Sequence, residues 1–211
     1  MKILLTGFEP FHNTDINPSG EIIKKLPDFI EGSKIIKEIL PVEFKKAGQR
    51  VKELLKEYEP DIVISIGQAG NRAEISIERI AVNLDCVRSS DGKRELADNA
   101  GELPVDIKIE ENGENAYFSN LPVWELVKWI QEKEIPAAVS CSAGTYVCNH
   151  VMYTALYEVS KHYPHMKAGF VHVPFMTEQK EVKQNGYFMD LEDMVIAIKE
   201  VLEGLIKFEK L

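Results

Sequence analysis

One cysteine lies where a reactive thiol would be expected. Cys148 follows an apolar run over residues 135–139 and a turn that contains Gly144, and a periodic segment over 151–163 comes after it. This order predicts a strand, a turn and a helix, with Cys148 in the first turns of the helix. Unpaired backbone N–H groups and the helix dipole favour a thiolate there. The alternative is that Cys148 is a small buried hydrophobic residue, as free cysteines usually are.

One histidine has the sequence context of a partner for that thiol. His172 lies in the apolar run 169–175, which predicts a strand. A low-pKa thiol and a histidine base are the minimum equipment of a cysteine hydrolase. The alternative is a core histidine with a satisfied hydrogen bond. The other histidines have weaker contexts: on a helix His150 would point away from the thiol, and His162 and His165 flank a turn.

A carboxylate and two aromatic residues complete the candidates. Glu78 lies in an alternating segment over 75–83 that predicts a strand. There it could orient an imidazole, or it could face solvent beside Arg79. Phe8 and Phe11 follow the first predicted strand, so they could line an apolar site or belong to the core.

These side chains need a scaffold, and strand-like segments alternate with helix-like ones along the chain. Strands are predicted over residues 2–6, 35–40, 62–66, 75–83, 135–139 and 169–175, and helices over 21–26, 44–58, 121–134, 151–163 and 191–208. Residues 88–116 are predicted to form a long polar excursion with a short strand near 105–109. The predicted fold class is α/β: a single domain over residues 1–211, built as a three-layer sandwich with a mostly parallel twisted sheet flanked by helices.

Parallel sheets of this kind bind ligands outside the carboxyl ends of their strands. Gly7, Gly67, Cys148 and His172 all lie at or just past predicted strand ends. We therefore expect the chemical candidates at one edge of one sheet.

The composition limits the class of protein. The chain has 211 residues, 45% of them hydrophobic, and a formal net charge of -9. An acidic chain argues against a nucleic-acid surface, and no apolar run approaches the ~20 residues that span a bilayer. Three cysteines without regular spacing do not suggest disulfides, so we expect a cytoplasmic protein with free thiols. The phosphate-binding glycine motifs do not occur, and without HExxH or CxxC a structural or catalytic zinc site has no support.

Four sequence motifs occur in a recognisable order. They are TGFEPF at 6–11 with NP at 17–18, GQAG at 67–70 leading to ERIAVN at 78–83, SAGTYVCN at 142–149, and VHVPF at 171–175. Together they resemble the pyrrolidone-carboxylate peptidases, also called pyroglutamyl-peptidase I, a family of cysteine peptidases. The similarity extends from the first residues to about residue 178.

The resemblance implies a hydrolase that removes N-terminal pyroglutamate from peptides through a thioester acyl-enzyme. The Cys-His-Glu triad of the family would be Cys148, His172 and Glu78 in this chain. The resemblance also implies a single α/β domain, no metal or organic cofactor, a cytoplasmic setting and a homotetramer.

Substrate-binding residues of the family also have counterparts here. The aromatic pocket for the lactam ring would be Phe8 and Phe11, and a main-chain contact to the lactam would come from Gln68. An arginine near the oxyanion would be Arg88.

The chain departs from the family in two places. His12 and Asn13 lie where the family usually has glycines, and residues 89–95 are an insertion that makes Arg94 a rival to Arg88. Two alternatives stay open. The altered loop favours a catalytically silent binding or assembly protein. A nucleoside-phosphorylase-like enzyme would share the fold class, but it would need a phosphate site, and the glycine loops lack basic residues for one.

Overall fold

A seven-stranded β-sheet forms the centre of the protein in a computed structural model, which describes residues 1–12, 14–88, 96–183 and 185–209. In chain order the strands are β1 (Lys2–Phe8), β2 (Phe29–Ile30), β3 (Ser33–Leu40), β4 (Ile62–Gln68), β5 (Ile75–Glu78), β6 (Ile80–Val82), β7 (Ala116–Phe118), β8 (Ala137–Ser140), β9 (Lys167–Val173), β10 (Phe175–Met176) and β11 (Phe188–Met189). The helices are α1 (Pro18–Lys25), α2 (Phe44–Tyr58), α3 (Val123–Gln131), α4 (Val147–His162) and α5 (Leu191–Phe208), with a 3₁₀ helix over Thr177–Glu181.

The sheet is mostly parallel, as predicted, with the strand order β2-β3-β1-β4-β9-β5-β8. Strands β3, β1, β4 and β9 run in the same direction, so their carboxyl ends meet at one edge. Strand β5 pairs antiparallel with β9, and β8 pairs parallel with β5. The strand before Cys148 therefore runs opposite to the direction we expected: β8 ends at Ser140, level with Phe170 in the middle of β9.

The two faces of the sheet pack against different helices. Successive strand residues point to opposite faces, so one face carries residues such as Ile64 and Val171 and packs against α1, α3 and α5. The other face carries residues such as Val63 and Phe170 and packs against α2 and α4. This arrangement gives helix, sheet and helix layers, and it confirms the predicted α/β class. It also places His172, two residues after Phe170, on the face covered by α2 and α4.

The predicted strand over residues 75–83 is two strands. The chain leaves the main sheet at Arg79, whose N–H donates to the Ser140 carbonyl and whose carbonyl accepts from the Ser119 N–H, both at 2.8 Å. Strand β6 then pairs antiparallel with β7 in a separate two-stranded sheet. The apolar pattern runs through both strands, so it could not show the break.

The predicted strand near residues 105–109 is wrong. At that place the structure has a bridge between Asp85 and Ile107, with backbone hydrogen bonds of 2.7 and 3.1 Å. The N–H groups of Ile109 and Glu110 donate to the side chain of Asn83 instead of a neighbouring strand. A side-chain oxygen therefore satisfies donors that a ladder would otherwise use.

The five predicted helices are present. The first begins earlier than predicted, at Pro18, because the Asn17 side chain accepts from the Ser19 N–H at 3.1 Å and caps it. Within the described ranges, no helix is long and apolar enough to cross a membrane.

Candidate active site

Cys148 is the second residue of α4, which confirms its predicted place at the start of a helix. The turn before it passes through Gly144 at φ 80°, a conformation that glycine adopts without strain. The thiol packs directly onto β4: a Cβ added at Gly67 would lie 2.8 Å from the Cys148 Sγ and 2.7 Å from the Phe170 ring. Only glycine at position 67 leaves room for this approach.

His172 lies beside that glycine on the neighbouring strand. It pairs in register with Gly67, and its ring centroid is 4.8 Å from that of Phe170. The Cys148 Sγ packs on the same side of Gly67 as Phe170, so the thiol and the imidazole share one face of the sheet. Only 4% of His172 is exposed, which leaves the imidazole with little solvent.

Glu78 lies in hydrogen-bond contact with the imidazole. Its Oε1 lies 2.7 Å from the His172 Nδ1, and the residue is fully buried at the end of β5. An ionised carboxylate can only accept hydrogen bonds, so Nδ1 is the donor in this pair. Nε2 is then the nitrogen that can take up a proton.

Arg72 is a site residue that sequence reasoning missed. Its Nη1 binds the Oε1 of Glu78, and its Nη2 donates to the Ser142 carbonyl at 2.7 Å. Arg79, the expected neighbour of Glu78, instead lies over the Phe118 ring at 5.3 Å. A carboxylate on a buried strand needs a cation, but the sequence does not show which cation the fold brings to it.

The surroundings of Cys148 do not favour the thiolate that we expected, because its pKa is raised. Burial raises the pKa of the Cys148 thiol to about 12; negative Glu78 adds to this effect and Arg72 opposes it. Burial also lowers the pKa of His172, although Glu78 raises it. Burial alone would raise the pKa of Glu78, but its hydrogen bond with His172, together with Ser140 and the charge of Arg72, brings that pKa below its usual value. The resting site therefore holds a thiol, a neutral imidazole and a carboxylate, because burial outweighs the start of the helix.

A small cavity opens beside the thiol. Its volume is about 30 Å³, and its lining residues are Phe8, Phe11, Asn17, Val42, Gln68, Tyr146, Val147 and Cys148. The structure thus brings the predicted Phe8, Phe11 and Gln68 together with Cys148. The Gln68 side chain is engaged elsewhere, since its Oε1 accepts from the Gln179 Nε2 at 2.9 Å.

Arg88 is not among the residues that line this cavity. It is exposed and follows Cys86, whose N–H donates to the Thr145 carbonyl at 2.9 Å and whose carbonyl accepts from the Thr145 hydroxyl at 2.6 Å. The chain therefore passes close to the start of α4, and the role of Arg88 at the oxyanion stays a prediction. Its rival Arg94, the insertion 89–95 and Asn13 lie outside the described residues.

His150 faces away from the thiol, as predicted for its position on α4. Its Nδ1 lies 2.8 Å from the Asp85 carboxylate, and its ring packs edge-on against Phe44 at 5.9 Å. Its Nε2 lies against Gly48 of α2. Across the described ranges, no three His, Cys, Asp or Glu side chains lie close enough to one another to hold a metal ion.

This fold and this group of side chains are typical of cysteine hydrolases, in which a thiol, an imidazole and a carboxylate lie together. A family model described as "Pyroglutamyl peptidase" matches residues 1–207. The chain is 50% identical over 206 residues to the pyrrolidone-carboxylate peptidase of Thermosipho melanesiensis, and 47% identical over 207 residues to that of Thermosipho africanus. Each alignment covers 98% of both chains.

Solved structures give the same result. The pyroglutamyl peptidase I of Bacillus amyloliquefaciens superposes with a TM-score of 0.88 at 40% identity, over 95% of this chain and 92% of that one. A mutant pyrrolidone carboxyl peptidase of Pyrococcus furiosus superposes with a TM-score of 0.92 at 38% identity, over the whole of both chains. The chain belongs to the pyroglutamyl peptidase family of cysteine peptidases. The family, the enzyme class and the fold class predicted from sequence are confirmed.

Proposed function

We propose that this protein cleaves the bond after an N-terminal pyroglutamate with Cys148 as nucleophile, His172 as base and Glu78 as the group that orients the base. The observation that carries the proposal is the 2.7 Å contact between the His172 Nδ1 and Glu78, on the sheet face where the thiol packs. A silent binding protein would have no need to bury a histidine–carboxylate pair beside a thiol.

The proton must move before or during the attack, because the resting thiol is neutral. The Nε2 of His172 takes the thiol proton while the sulfur adds to the carbonyl carbon that links pyroglutamate to the next residue. Glu78 stabilises the imidazolium that forms. The imidazolium then protonates the departing amine, the C–N bond breaks, and a thioester remains on Cys148. Water, activated by the same imidazole, adds to the thioester and releases pyroglutamate and the thiol.

The developing oxyanion needs hydrogen-bond donors near the sulfur. Backbone N–H groups at the start of α4, where Cys148 lies, supply them in the proposal, and the resemblance predicts Arg88 as a further donor. One such donor is typically worth ~3 kcal/mol in the transition state.

Specificity for a lactam follows from the cavity walls. Phe8 and Phe11 present an apolar surface to a flat neutral ring, whereas an ordinary N-terminus would bring an ammonium whose unpaired burial is costly. The main chain of Gln68 is the proposed polar contact to the lactam. The cavity of about 30 Å³ has roughly the size of one water molecule, so half-buried Phe11 must move to admit the ring, while Phe8 is buried.

The test is hydrolysis of a pyroglutamyl-coupled dye by matched cysteine variants. Cys148→Ser is expected to lose nearly all turnover, because a serine hydroxyl is a far weaker nucleophile in a site built for sulfur. Cys141→Ser is the control, since Cys141 is exposed, and it should keep wild-type turnover. Wild-type turnover in the Cys148 variant would contradict the assignment, and an inactive wild type that binds pyroglutamate would favour the silent alternative.

The resemblance carries two further proposals, a homotetramer and a cytoplasmic location. Light scattering of the purified protein tests the first, since a monomer has a mass of 23.9 kDa. Cell fractionation tests the second. A monomeric mass or an extracellular fraction would overturn the respective proposal.

A further inference from the structure

Arg72 connects two parts of the site that are far apart in sequence. It lies in the turn after β4, and its guanidinium binds both the Glu78 carboxylate and the Ser142 carbonyl, the latter at 2.7 Å. The first contact reaches the group that orients His172. The second reaches the loop that leads into α4 and Cys148.

The contact of Arg72 with Glu78 supplies a counter-charge to a buried carboxylate. Glu78 is fully buried, and the histidine beside it is neutral in the resting site, so His172 brings no counter-charge. A buried carboxylate without a cation is strongly unfavourable. Among the residues that the structure describes, Arg72 is the cation in contact with Glu78. Its side chain is 23% exposed, so its positive charge is partly in contact with solvent.

The contact with Ser142 fixes the loop that carries backbone N–H groups towards the thiol. Within this loop the Gly144 N–H donates to the Ser142 hydroxyl at 3.2 Å, and the Ser142 N–H donates to the Ser140 hydroxyl at 3.3 Å. These are long hydrogen bonds at an exposed turn. The 2.7 Å bond from Arg72 anchors the first residue of the loop, whereas Thr145 near its end is held by Cys86.

We propose, on the basis of the function proposed above, that Arg72 is a positioning residue that couples the orientation of His172, through Glu78, to the placement of loop 142–146 beside Cys148. The planar fork of a guanidinium can hold a carboxylate and a carbonyl at the same time, whereas a lysine ammonium is a point charge on a flexible stem. Holding Glu78 and Ser142 together, which we call the bridge, therefore requires arginine. Neutralising the charge of Glu78 requires only a cation.

Two variants separate the bridge from the charge. Arg72→Gln removes both, and we expect kcat on a pyroglutamyl dye to fall by about 10- to 100-fold, with KM changed by less than about threefold. Arg72→Lys keeps the charge and loses the fork, so kcat should fall by about 10-fold.

The pH profile of kcat/KM distinguishes positioning of the base from a general loss of structure. The charged or titratable groups that face His172 are Glu78 on β5, Cys148 on α4 and Arg72 in the turn. The positive charge of Arg72 lowers the pKa of His172, so its removal raises that pKa. The acid limb of the profile should move to higher pH in Arg72→Gln and stay at the wild-type position in Arg72→Lys.

Arg79→Gln is the matched control, because Arg79 follows Glu78 directly but lies over the Phe118 ring. Its kcat and its acid limb should match the wild type. Wild-type kcat in Arg72→Gln, or an equal loss in the Arg79 control, would overturn the inference. If Arg72→Gln does not fold, Arg72→Lys decides: reduced kcat with an unmoved acid limb supports the bridge, and wild-type kcat overturns it. An inactive wild-type enzyme would count against the proposed function instead.

Discussion

Opposing effects act on the pKa of the His172 imidazole. Burial lowers its pKa, Glu78 raises it through a hydrogen bond and its negative charge, and the positive charge of Arg72 lowers it. A neutral imidazole is what a general base needs, and a carboxylate at Nδ1 is what stabilises it once it is charged. In the proposed mechanism, therefore, the imidazole takes its proton from a thiol, and the reaction does not start from a preformed ion pair.

Glu78→Gln tests this arrangement at the residue scale. The variant keeps the shape of the side chain but loses the charge that stabilises the imidazolium, so kcat should fall by about 10²- to 10⁴-fold with little change in KM. Because Glu78 raises the pKa of His172, its loss lowers that pKa further. The acid limb of kcat/KM should move to lower pH, which is opposite to the shift expected for Arg72→Gln.

Glu74→Gln serves as the control, since Glu74 precedes β5 and lies outside the contacts described for the site. Its rate and pH profile should be those of the wild type. An unchanged rate in Glu78→Gln would return Glu78 to the role of an ordinary buried residue.

Residue types and spacing could predict Cys148, His172 and Glu78, because each has a chemistry that its local segment makes accessible. They could not predict Arg72, whose role depends on a turn from one strand meeting a carboxylate on another. They also could not predict the high pKa of the Cys148 thiol. The start of a helix is visible in sequence, whereas the burial that outweighs it exists only in the folded protein.

At the scale of elements, the site depends on how closely α4 approaches β4. The thiol packs over Gly67, and the ring of Phe170 lies on the same side of that glycine. Because a side chain at position 67 would meet both, the helix start can reach the sheet only over a glycine.

Gly67→Ala tests that approach. The added Cβ would lie 2.7 Å from the Phe170 ring and 2.8 Å from the Cys148 Sγ, so the thiol must move. We expect a loss of about 1–3 kcal/mol in the free energy of unfolding and a large fall in kcat of the folded fraction. Thermal melts and rates measured below the melting transition report the two effects separately.

Gly169→Ala is the matched control on β9. A Cβ there would collide with Leu121 on the opposite face of the sheet, away from the thiol. This variant should lose stability but keep its kcat while folded. Equal kcat in the two variants would contradict the claim that the Gly67 approach sets the position of the sulfur.

Periodicity predicted the helices and most of the strands, because each of these buries one face or both. It could not predict the break at Arg79, where hydrogen bonds to Ser140 and Ser119 redirect the chain without any change in the apolar pattern. Nor could it show that β5 and β8 run against β9. Strand direction is set by pairing across the sheet, which leaves no mark within a single strand.

At the scale of the whole molecule, the two faces of the sheet differ in what they carry. One face, under α1, α3 and α5, is apolar core from β1 to β5. The other face, under α2 and α4, is also apolar core over most of its area. At the carboxyl ends of β4 and β9 it carries the thiol, the imidazole and the cavity. The family match over residues 1–207 covers both faces, so the scaffold and the site belong to one inherited unit.

Active-site labelling with a pyroglutamyl chloromethyl ketone tests whether Cys148 is the nucleophile. The reagent places its ketone where the scissile carbonyl would lie and its alkylating carbon one bond beyond, where the departing nitrogen would be. Peptide mass spectrometry identifies the labelled residue while activity is followed in the same sample. We expect one label per chain, on Cys148, with activity lost in proportion and protection by free pyroglutamate. Activity lost through a label on Cys86 or Cys141, or full activity with Cys148 completely alkylated, would contradict it.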